Sequence, residues 1–316
     1  MPFYERGIDM NNLYDVVVIG GGPAGLTAAL YLARAKYRVV VVEKENFGGQ
    51  ITYSPKLENY PSVMEISGSA FAEQMLEQVM AHGAEIELAE ATKITDHGTY
   101  KTVTTEYGEF DGKAVIIATG SKHRHLGLEG EDALIGSGIS FCAVCDGSFF
   151  AGKKVAVIGG GNTALQEAVM LSDLCSEVII IQTLSFMTGE KKLLQILEKK
   201  SNVKMIFDTL VTSLSSEGGE LRAISLKNTA TDESSTLELD GMFVAIGLIP
   251  QNEPFADYIA LNAWGYADSG EDCKTSTEGI FVAGDCRSKR VRQVATAVGD
   301  GAVAALAACD YVDEMK

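Results

Sequence analysis

The sequence predicts an α/β fold with two domains of the same kind, the second inserted in the first. Two stretches carry this prediction. Each runs from a short valine-rich strand through a glycine-rich turn into a helix and a second strand. One begins at Tyr14 and the other at Lys154, about 140 residues later. Such a repeat indicates two Rossmann-like nucleotide-binding domains with layered sheets and helices.

The first glycine turn has the spacing expected for a dinucleotide site. Gly20 permits the tight turn, Gly22 lets the backbone approach a pyrophosphate, and Gly25 lets helix and strand pack closely. The helix N-terminus then faces the phosphates. Glu43 ends the second strand, 18 residues after Gly25, where it can accept hydrogen bonds from a ribose.

The domain boundaries are expected where buried strands lead into polar residues. Two such joints are Gly120 to Leu126 and Gly247 to Glu253. They predict a discontinuous first domain, 1–122 with 249–316, and an inserted domain, 123–248. Two short crossings of this kind suit a hinge.

Composition argues against several classes of partner. The 316 residues are 46% hydrophobic and 22% charged, as in an ordinary globular protein, and the net charge is -17. Because that charge repels phosphate groups, we expect no nucleic acid and no anionic membrane as partner. The sequence has no run of about 18 apolar residues, so we expect no transmembrane helix. The first twelve residues lack a hydrophobic signal core, which predicts a cytoplasmic protein.

The chemistry is expected at Cys142 and Cys145, with Asp146 directly after them. Two cysteines three positions apart form either a redox-active disulfide or half of a zinc site. A zinc site needs two more ligands. The other cysteines, 175, 273, 286 and 309, are scattered singly, with Cys273 expected in a surface loop. We interpret the nearby pair His123 and His125 as polar hinge surface. The redox interpretation is therefore favoured, with Asp146 exchanging protons.

The order of motifs resembles the low-molecular-weight thioredoxin reductase family. The motifs are GGGPAG, GGQ, ENYP, ATG, CAVCDG, GGGNTA, AIG, GDC and RQVATA, and they extend from about residue 14 to residue 308. The resemblance implies a homodimer that contains FAD and reduces thioredoxin or a thioredoxin-like protein. It also implies that Cys142 and Cys145 are the redox pair, with Asp146 as acid and Cys145 facing the flavin.

The same resemblance implies a set of FAD-binding residues in the first domain. They are Gly20, Gly22, Pro23, Ala24, Gly25, Glu43, Gly49, Gln50, Asn59, Thr119, Gly120, Asp285, Arg292, Gln293 and Val294.

The second nucleotide-binding unit departs from the family pattern after its second strand. Thioredoxin reductases that use NADPH carry a histidine-arginine-arginine run there, with another arginine shortly after, which neutralises the 2'-phosphate. This chain has Gln182 to Thr188, QTLSFMT, with no cation and no acidic residue for a free ribose hydroxyl. Lys191 and Lys192 are expected on the following helix.

Three interpretations of the electron donor are open. In the first, the second nucleotide site is degenerate, and reduced ferredoxin transfers electrons to the FAD. The ferredoxin docks at a basic tract of Arg287, Lys289, Arg290 and Arg292. In the second, the protein is an NAD(P)H-dependent reductase with an altered pocket that favours NADH. In the third, it is a flavoprotein that oxidises dithiols or senses redox state. The acidic net charge counts against ferredoxin, which is itself typically acidic.

Overall fold

The computed structural model describes residues 13–54 and 56–315, so the N-terminal stretch used to predict a cytoplasmic location lies outside the described residues. The strands are β1 (Tyr14–Ile19), β2 (Val39–Glu43), β3 (Glu85–Leu88), β4 (Ala91–Asp96), β5 (Lys101–Thr105), β6 (Glu109–Ile117), β7 (Ser121–His123), β8 (Ile139–Ser140), β9 (Lys154–Ile158), β10 (Glu177–Ile181), β11 (Val203–Ile206), β12 (Thr209–Glu217), β13 (Glu220–Asn228), β14 (Ser234–Glu238), β15 (Gly241–Val244), β16 (Leu248–Pro250) and β17 (Ile280–Val282). The α-helices are α1 (Pro23–Arg34), α2 (Gly68–Ala81), α3 (Glu131–Leu134), α4 (Ala143–Asp146), α5 (Asn162–Leu174), α6 (Lys191–Leu197) and α7 (Val294–Glu314). Four 3₁₀ turns are described as well: Gly49–Tyr53, Gly147–Phe150, Glu253–Phe255 and Gly284–Cys286.

The chain divides into two compact units. Unit 1 contains the described residues up to Lys122 and those from Ile249 onward, and unit 2 is His123–Leu248. The two crossings between them are the strands β7 and β16, which pair as a two-stranded sheet. Because the chain enters and leaves unit 2 at adjacent points, unit 2 is an insertion in unit 1.

Beside these crossings, a backbone hydrogen bond within each unit joins the segment that leads into one crossing to the segment that leads out of the other. In unit 1 the backbone N–H of Gln251 donates to the carbonyl of Gly120 over 3.4 Å. In unit 2 the N–H of Arg124 donates to the carbonyl of Gly247 over 3.0 Å. The ends of each unit are thus held together by bonds within that unit.

Unit 1 is built on a sheet with the order β3-β2-β1-β6-β5-β4, in which β17 also pairs with β6. The first half of β6 is antiparallel to β5, and its second half is parallel to β17, with Ile280 opposite Val115. Alternate residues of β1 face opposite sides. Val16 and Val18 pack with α1 and α7, while Val17 and Ile19 pack with the segment around Phe255. Both faces of β1 are therefore buried, as the parallel part of a sheet requires.

Helix α7 is long and apolar. An 18-residue stretch of its 21 residues has a mean hydropathy of 1.2, so by length and composition alone it could cross a membrane. Its buried residues, however, belong to the core of unit 1, and a Cβ at Gly301 would collide with the carbonyl of Ala24 in α1. A small-residue face packed this closely on another helix is what a core helix needs.

Unit 2 has a five-stranded parallel sheet with the order β11-β10-β9-β15-β8. Val155 and Val157 of β9 face α5, whereas Ala156 and Ile158 face the antiparallel sheet β12-β13-β14 through Leu221. Helix, parallel sheet and antiparallel sheet form three layers. The predicted α/β fold of two Rossmann-like domains is confirmed.

Strand β3 is parallel to β2, with Ile86 opposite Val41, whereas β4 pairs with β5 and β5 with β6 in antiparallel fashion. The last helix, α7, continues to Glu314.

Candidate functional site

The first glycine turn leaves an open approach to the N-terminus of α1. Gly20 has a φ of 107°, and a side chain at Gly25 would collide with the carbonyl of Gly20. At Gly22 the situation is different, because a Cβ there would meet only the carbonyl oxygen of Gly48, at 4.0 Å. The unpaired N–H groups of a helix N-terminus bind phosphate, so the space beside Gly22 fits a pyrophosphate.

Glu43 is fixed at the end of β2 by two backbone bonds. Its Oε2 accepts from the N–H of Gly21 at 2.6 Å, and its Oε1 accepts from the N–H of Glu45 at 2.9 Å. Each carboxylate oxygen has further acceptor capacity, which ribose hydroxyls can use. Pro23 and Ala24 form the first turn of α1 beside it.

The other sequence-predicted cofactor residues of unit 1 lie on several elements. Gly49 and Gln50 begin a 3₁₀ turn. The amide of Asn59 donates to the Oε1 of Gln293 at 3.2 Å, which joins a loop to the N-cap of α7, where Val294 begins the helix. The structure thus brings together two motifs that are 234 residues apart.

Thr119 is held by Asn252, a residue that the sequence prediction missed. The Thr119 hydroxyl donates to the Oδ1 of Asn252 at 3.2 Å, and the Nδ2 of Asn252 donates to the carbonyls of Gly265 and Cys286. Asn252 is fully buried. Gly120, next along the chain, has a φ of 66° with open space beside its Cα.

Asp285 has an atom that is ready for a ligand. Its Oδ1 is buried without a hydrogen-bond partner, and the Nζ of Lys289 lies 3.8 Å away. Burial raises the pKa of this carboxyl. A buried acceptor without a donor is costly. A ligand hydroxyl would satisfy it. Together with the open space at Gly22 and the fixed carboxylate of Glu43, this atom shows that the residues fit FAD.

The basic tract expected to form a docking surface is not an exposed patch. Arg287 is 4% exposed, and its Nη1 lies 2.8 Å from the Oδ1 of Asp300. Lys289 pairs with the same carboxylate at 3.0 Å. The guanidinium of Arg292 lies 4.0 Å from the centre of the Tyr266 ring. Only Arg290 of the four is exposed. The docking prediction was wrong because unit 1 uses the other three cations internally.

In unit 2, Cys142 and Cys145 form a disulfide, with Cα atoms 5.3 Å apart. Cys142 is the N-cap of α4, and its Sγ accepts from the N–H of Cys145 at 3.2 Å. Both cysteines are partly exposed, and Val144 between them is 56% exposed. A partly exposed disulfide next to an apolar contact residue suits exchange with a partner protein.

Two carboxyl groups lie near the residues of this disulfide: that of Asp146, which is half-buried, and that of Glu167, which is buried. The Oδ2 of Asp146 accepts from the hydroxyl of Ser140 at 2.6 Å, and that hydroxyl oxygen accepts from the N–H of Cys142. Burial raises the pKa of Asp146, and the Ser140 bond opposes this. Glu167 of α5, which the sequence prediction missed, accepts from the N–H of Ala143 at 3.4 Å.

The predicted polar hinge histidines stack on the residue before the disulfide. The ring centres of His123 and His125 lie 4.7 and 5.1 Å from that of Phe141. Burial, and secondarily the charge of His125, lowers the pKa of His123 to about 4. In residues 13–54 and 56–315, no group of three or more His, Cys, Asp or Glu side chains could hold a metal ion. Cys273, expected at the surface, is buried.

The second glycine turn repeats the geometry of the first, but its neighbours differ. A Cβ at Gly161 would meet only the Oγ1 of Thr188, at 3.9 Å. Above Gly160, however, lies the amide of Gln182, where a Cβ would collide. That amide donates to the carbonyl of Phe186 at 3.3 Å and accepts from the N–H of Thr183 at 2.9 Å. The loop after β10 is therefore held together by its own polar groups.

Fold and site together define a flavoprotein with a redox-active disulfide, and comparison with known proteins agrees. The model of the pyridine nucleotide-disulphide oxidoreductase family matches residues 14–301. Thioredoxin reductase from Bacillus subtilis is 37% identical over 304 residues, 96% of each chain. A "34.2 kDa protein in rubredoxin operon" from Clostridium pasteurianum is 40% identical over 94% of this chain and 97% of its own. The crystal structure of thioredoxin reductase from Streptococcus pyogenes, 35% identical, superposes with a TM-score of 0.91 and covers 96% of this chain and 99% of that one.

The chain belongs to the pyridine nucleotide-disulphide oxidoreductase family and, within it, to the low-molecular-weight thioredoxin reductases. It is a flavoprotein disulfide reductase, and its cofactor is FAD.

Proposed function

We propose that the protein passes electrons from reduced ferredoxin, rather than from NADPH, through FAD and the Cys142–Cys145 disulfide to thioredoxin or a thioredoxin-like protein. The observation that supports this donor is the loop after β10. In the stretch after β10, where thioredoxin reductases of the NADPH type carry arginines, this chain has Gln182 to Thr188 without a cation. A phosphate dianion without charged partners binds weakly.

The residues of the site have separate roles in reduction. FAD, when bound, supplies the electron pair that the disulfide accepts. The S–S bond breaks, one sulfur takes a proton and the other remains a thiolate. We assign that proton to Asp146, which ends the helix that contains Cys145, and whose raised pKa keeps it protonated to a higher pH than a free aspartate.

The reduced pair then transfers its electrons to the acceptor. The thiolate attacks the disulfide of the partner protein and forms a mixed disulfide. The second cysteine resolves that bond, which releases the partner as a dithiol and restores the Cys142–Cys145 disulfide. The exposed side chain of Val144 offers the partner an apolar contact next to the sulfurs.

The FAD site is proposed to consist of the unit 1 residues predicted from the sequence. The fixed carboxylate of Glu43 takes the ribose, the turn at Gly22 takes the pyrophosphate, and the free Oδ1 of Asp285 accepts from a hydroxyl of the cofactor. Assembly as a homodimer and a cytoplasmic location are further proposals.

NADH is the second donor candidate, and one observation favours it. The open space beside Gly161 at the start of α5 can accept a pyrophosphate. Against NADH, the residue after β10 is Gln182, whose amide is engaged within its own loop. Against ferredoxin, the chain is acidic, and three residues of its basic tract, Arg287, Lys289 and Arg292, are engaged in contacts within unit 1. A dithiol oxidase or redox sensor remains the third interpretation.

Anaerobic bleaching of the flavin distinguishes the donors. Oxidised holoenzyme is mixed with NADPH, NADH or photoreduced ferredoxin, and its visible absorbance is followed. We expect bleaching by ferredoxin and none by NADPH at low concentration. Rapid bleaching by NADPH would overturn the ferredoxin proposal, and bleaching by NADH alone would select the second candidate. An insulin-coupled thioredoxin assay tests the third, which requires poor turnover with every donor.

A further inference from the structure

Asp285 lies in surroundings that oppose its negative charge. Its Oδ1, which is assigned above to a hydroxyl of the cofactor, is buried without a hydrogen-bond partner. Burial raises the pKa of this carboxyl group, and the charge of Asp300 adds to the rise. Hydrogen bonds to an ionised oxygen are roughly twice as strong as those to a neutral one, so a protonated Asp285 would be the weaker acceptor. A cation close to the carboxyl group favours the charged form.

Lys289 is a cation at that distance. Its Nζ lies 3.8 Å from the Oδ1 of Asp285, which allows an ion pair but is too long for a hydrogen bond, so the oxygen can still accept from a ligand. Two cations lower the pKa of Asp285, and Lys289 has the larger effect and Arg292 the smaller. The guanidinium of Arg292 donates instead to the backbone carbonyls of Asp285 and Arg287, at 3.2 and 3.1 Å.

Asp300 of α7 fixes both Lys289 and the backbone next to Asp285. Its Oδ2 accepts from the Nζ of Lys289 at 3.0 Å and from the N–H of Gly284 at 2.9 Å. The same Nζ donates to the Oγ1 of Thr296 at 3.3 Å. Because the side chain of Lys289 is only 13% exposed, water and salt screen its charge little. The fold therefore holds this cation beside the carboxyl group.

Two cations share one acid at the centre of this cluster. The Nη1 of Arg287 lies 2.8 Å from the Oδ1 of Asp300, and the Nζ of Lys289 lies 3.0 Å from its Oδ2. One carboxylate cannot neutralise both cations, and buried charges are stable when they are paired. A negative charge on Asp285, which is also within ion-pair distance of Lys289, supplies the second anion.

We propose that Lys289 is a positioning residue of the FAD site: its charge keeps the carboxyl group of Asp285 ionised, so that the free Oδ1 binds a hydroxyl of the cofactor as a charged acceptor. This rests on the proposed FAD site of unit 1. Lys289 acts through Asp285 and needs no contact with FAD itself. A residue of the tract that the sequence predicted as a docking surface thus serves the cofactor site from within unit 1.

The test is a double-mutant cycle on the FAD affinity of the holoenzyme. Lys289→Met keeps the length of the side chain and removes its charge. Holoenzyme at neutral pH is diluted in steps, and the released FAD is separated by ultrafiltration and measured by its fluorescence. We expect the dissociation constant of FAD to rise about tenfold, because the acceptor loses the cation that keeps it charged. In an Asp285→Asn background the same substitution should change the constant by less than about twofold, since an amide needs no cation.

The cycle separates this role from a structural one. If Lys289 only supported the fold through Asp300 and Thr296, Lys289→Met would weaken FAD binding by the same factor with and without Asp285→Asn, and that result would overturn the proposal. An unchanged dissociation constant for Lys289→Met alone would do the same. Lys93→Met, which removes an exposed lysine of the same unit, is the matched control and should retain the wild-type constant.

Substitutions of Asp285 distinguish failure of this proposal from failure of the FAD site. Asp285→Asn keeps the oxygen and removes the charge, so it should itself raise the dissociation constant about tenfold, and it provides the test if Lys289→Met does not fold. Wild-type affinity for Asp285→Asn, together with weakened binding for Asp285→Ala, would refute the need for charge and leave the FAD site intact. Wild-type affinity for Asp285→Ala, which has no acceptor, would show that Asp285 does not bind the cofactor.

Discussion

The two glycine turns of this chain have nearly the same backbone and very different surroundings. Gly22 has φ and ψ of -76° and -178°, and Gly161 has -85° and -179°. Each precedes a helix on the same kind of parallel sheet. In unit 1 the following strand ends at Glu43, whose carboxylate accepts two backbone N–H groups. In unit 2 the corresponding strand is followed by Gln182, whose amide bonds within its own loop.

This contrast shows that a glycine turn is evidence of close backbone packing and is not by itself evidence of a bound ligand. A Cβ at Gly20 or at Gly159 would strike the backbone that follows a neighbouring strand, so the fold needs glycine there whether or not a nucleotide binds. The side chains after the second strand decide what the turn can hold, because they meet the ribose and any 2'-phosphate. The two units therefore share a scaffold without sharing a specificity.

The largest expected effect comes from filling the space beside Gly22 with a side chain, and the same substitution at Gly161 is the comparison. Valine fits the backbone angles of both Gly22 and Gly161, but its side chain fills the space in which a pyrophosphate would lie. Gly22→Val should lower the FAD content of the purified protein by at least about tenfold, because the phosphates lose their approach to α1. The flavin-to-protein absorbance ratio measures this.

Gly161→Val is the matched variant in unit 2. It should keep its FAD, and its ferredoxin-driven reduction of thioredoxin should stay within about twofold of wild type, as for a surface substitution away from the chemistry. A strong loss of turnover with ferredoxin would mean that the second turn holds a ligand after all.

The next largest effect comes from adding charge to unit 2. The double substitution Thr183→Arg and Leu184→Arg supplies two guanidinium groups where a 2'-phosphate would lie. Flavin bleaching by NADPH should become at least about tenfold faster, since each charge-assisted bond contributes about 1.5–3 kcal/mol. Thr183→Gln with Leu184→Gln is the control of similar length and should change little. If wild type is already bleached rapidly by NADPH, the premise is wrong.

The smallest effect concerns acid stability. The folded pKa of His123 is about 4, below the unfolded value near 6.5, so between these values the unfolded chain binds the extra proton. Stability should fall as the pH falls from about 6.5 to about 4. His123→Gln should flatten that slope in urea unfolding, whereas His82→Gln, at an exposed position of unit 1, should leave it unchanged. Equal slopes for wild type and His123→Gln would refute the assignment.

Features that depend on neighbouring residues were predictable from the sequence. The glycine turns, the carboxylate at Glu43 and the spacing of Cys142 and Cys145 are encoded within short stretches. The sequence could not show which distant residues meet them. Glu167 reaches α4 only because α5 packs on it, and Arg287 is buried only because Asp300 of α7 supplies its partner. Neither contact leaves a periodic pattern in the chain.

The crossings at β7 and β16 have a consequence for how this protein can be taken apart. Because Gly120 bonds to Gln251 and Arg124 bonds to Gly247, each unit has its own ends side by side. Compact regions with adjacent ends tolerate excision and insertion. If a short turn replaced unit 2, unit 1 would remain as a smaller FAD-binding protein. A different redox domain could then be inserted at the same position.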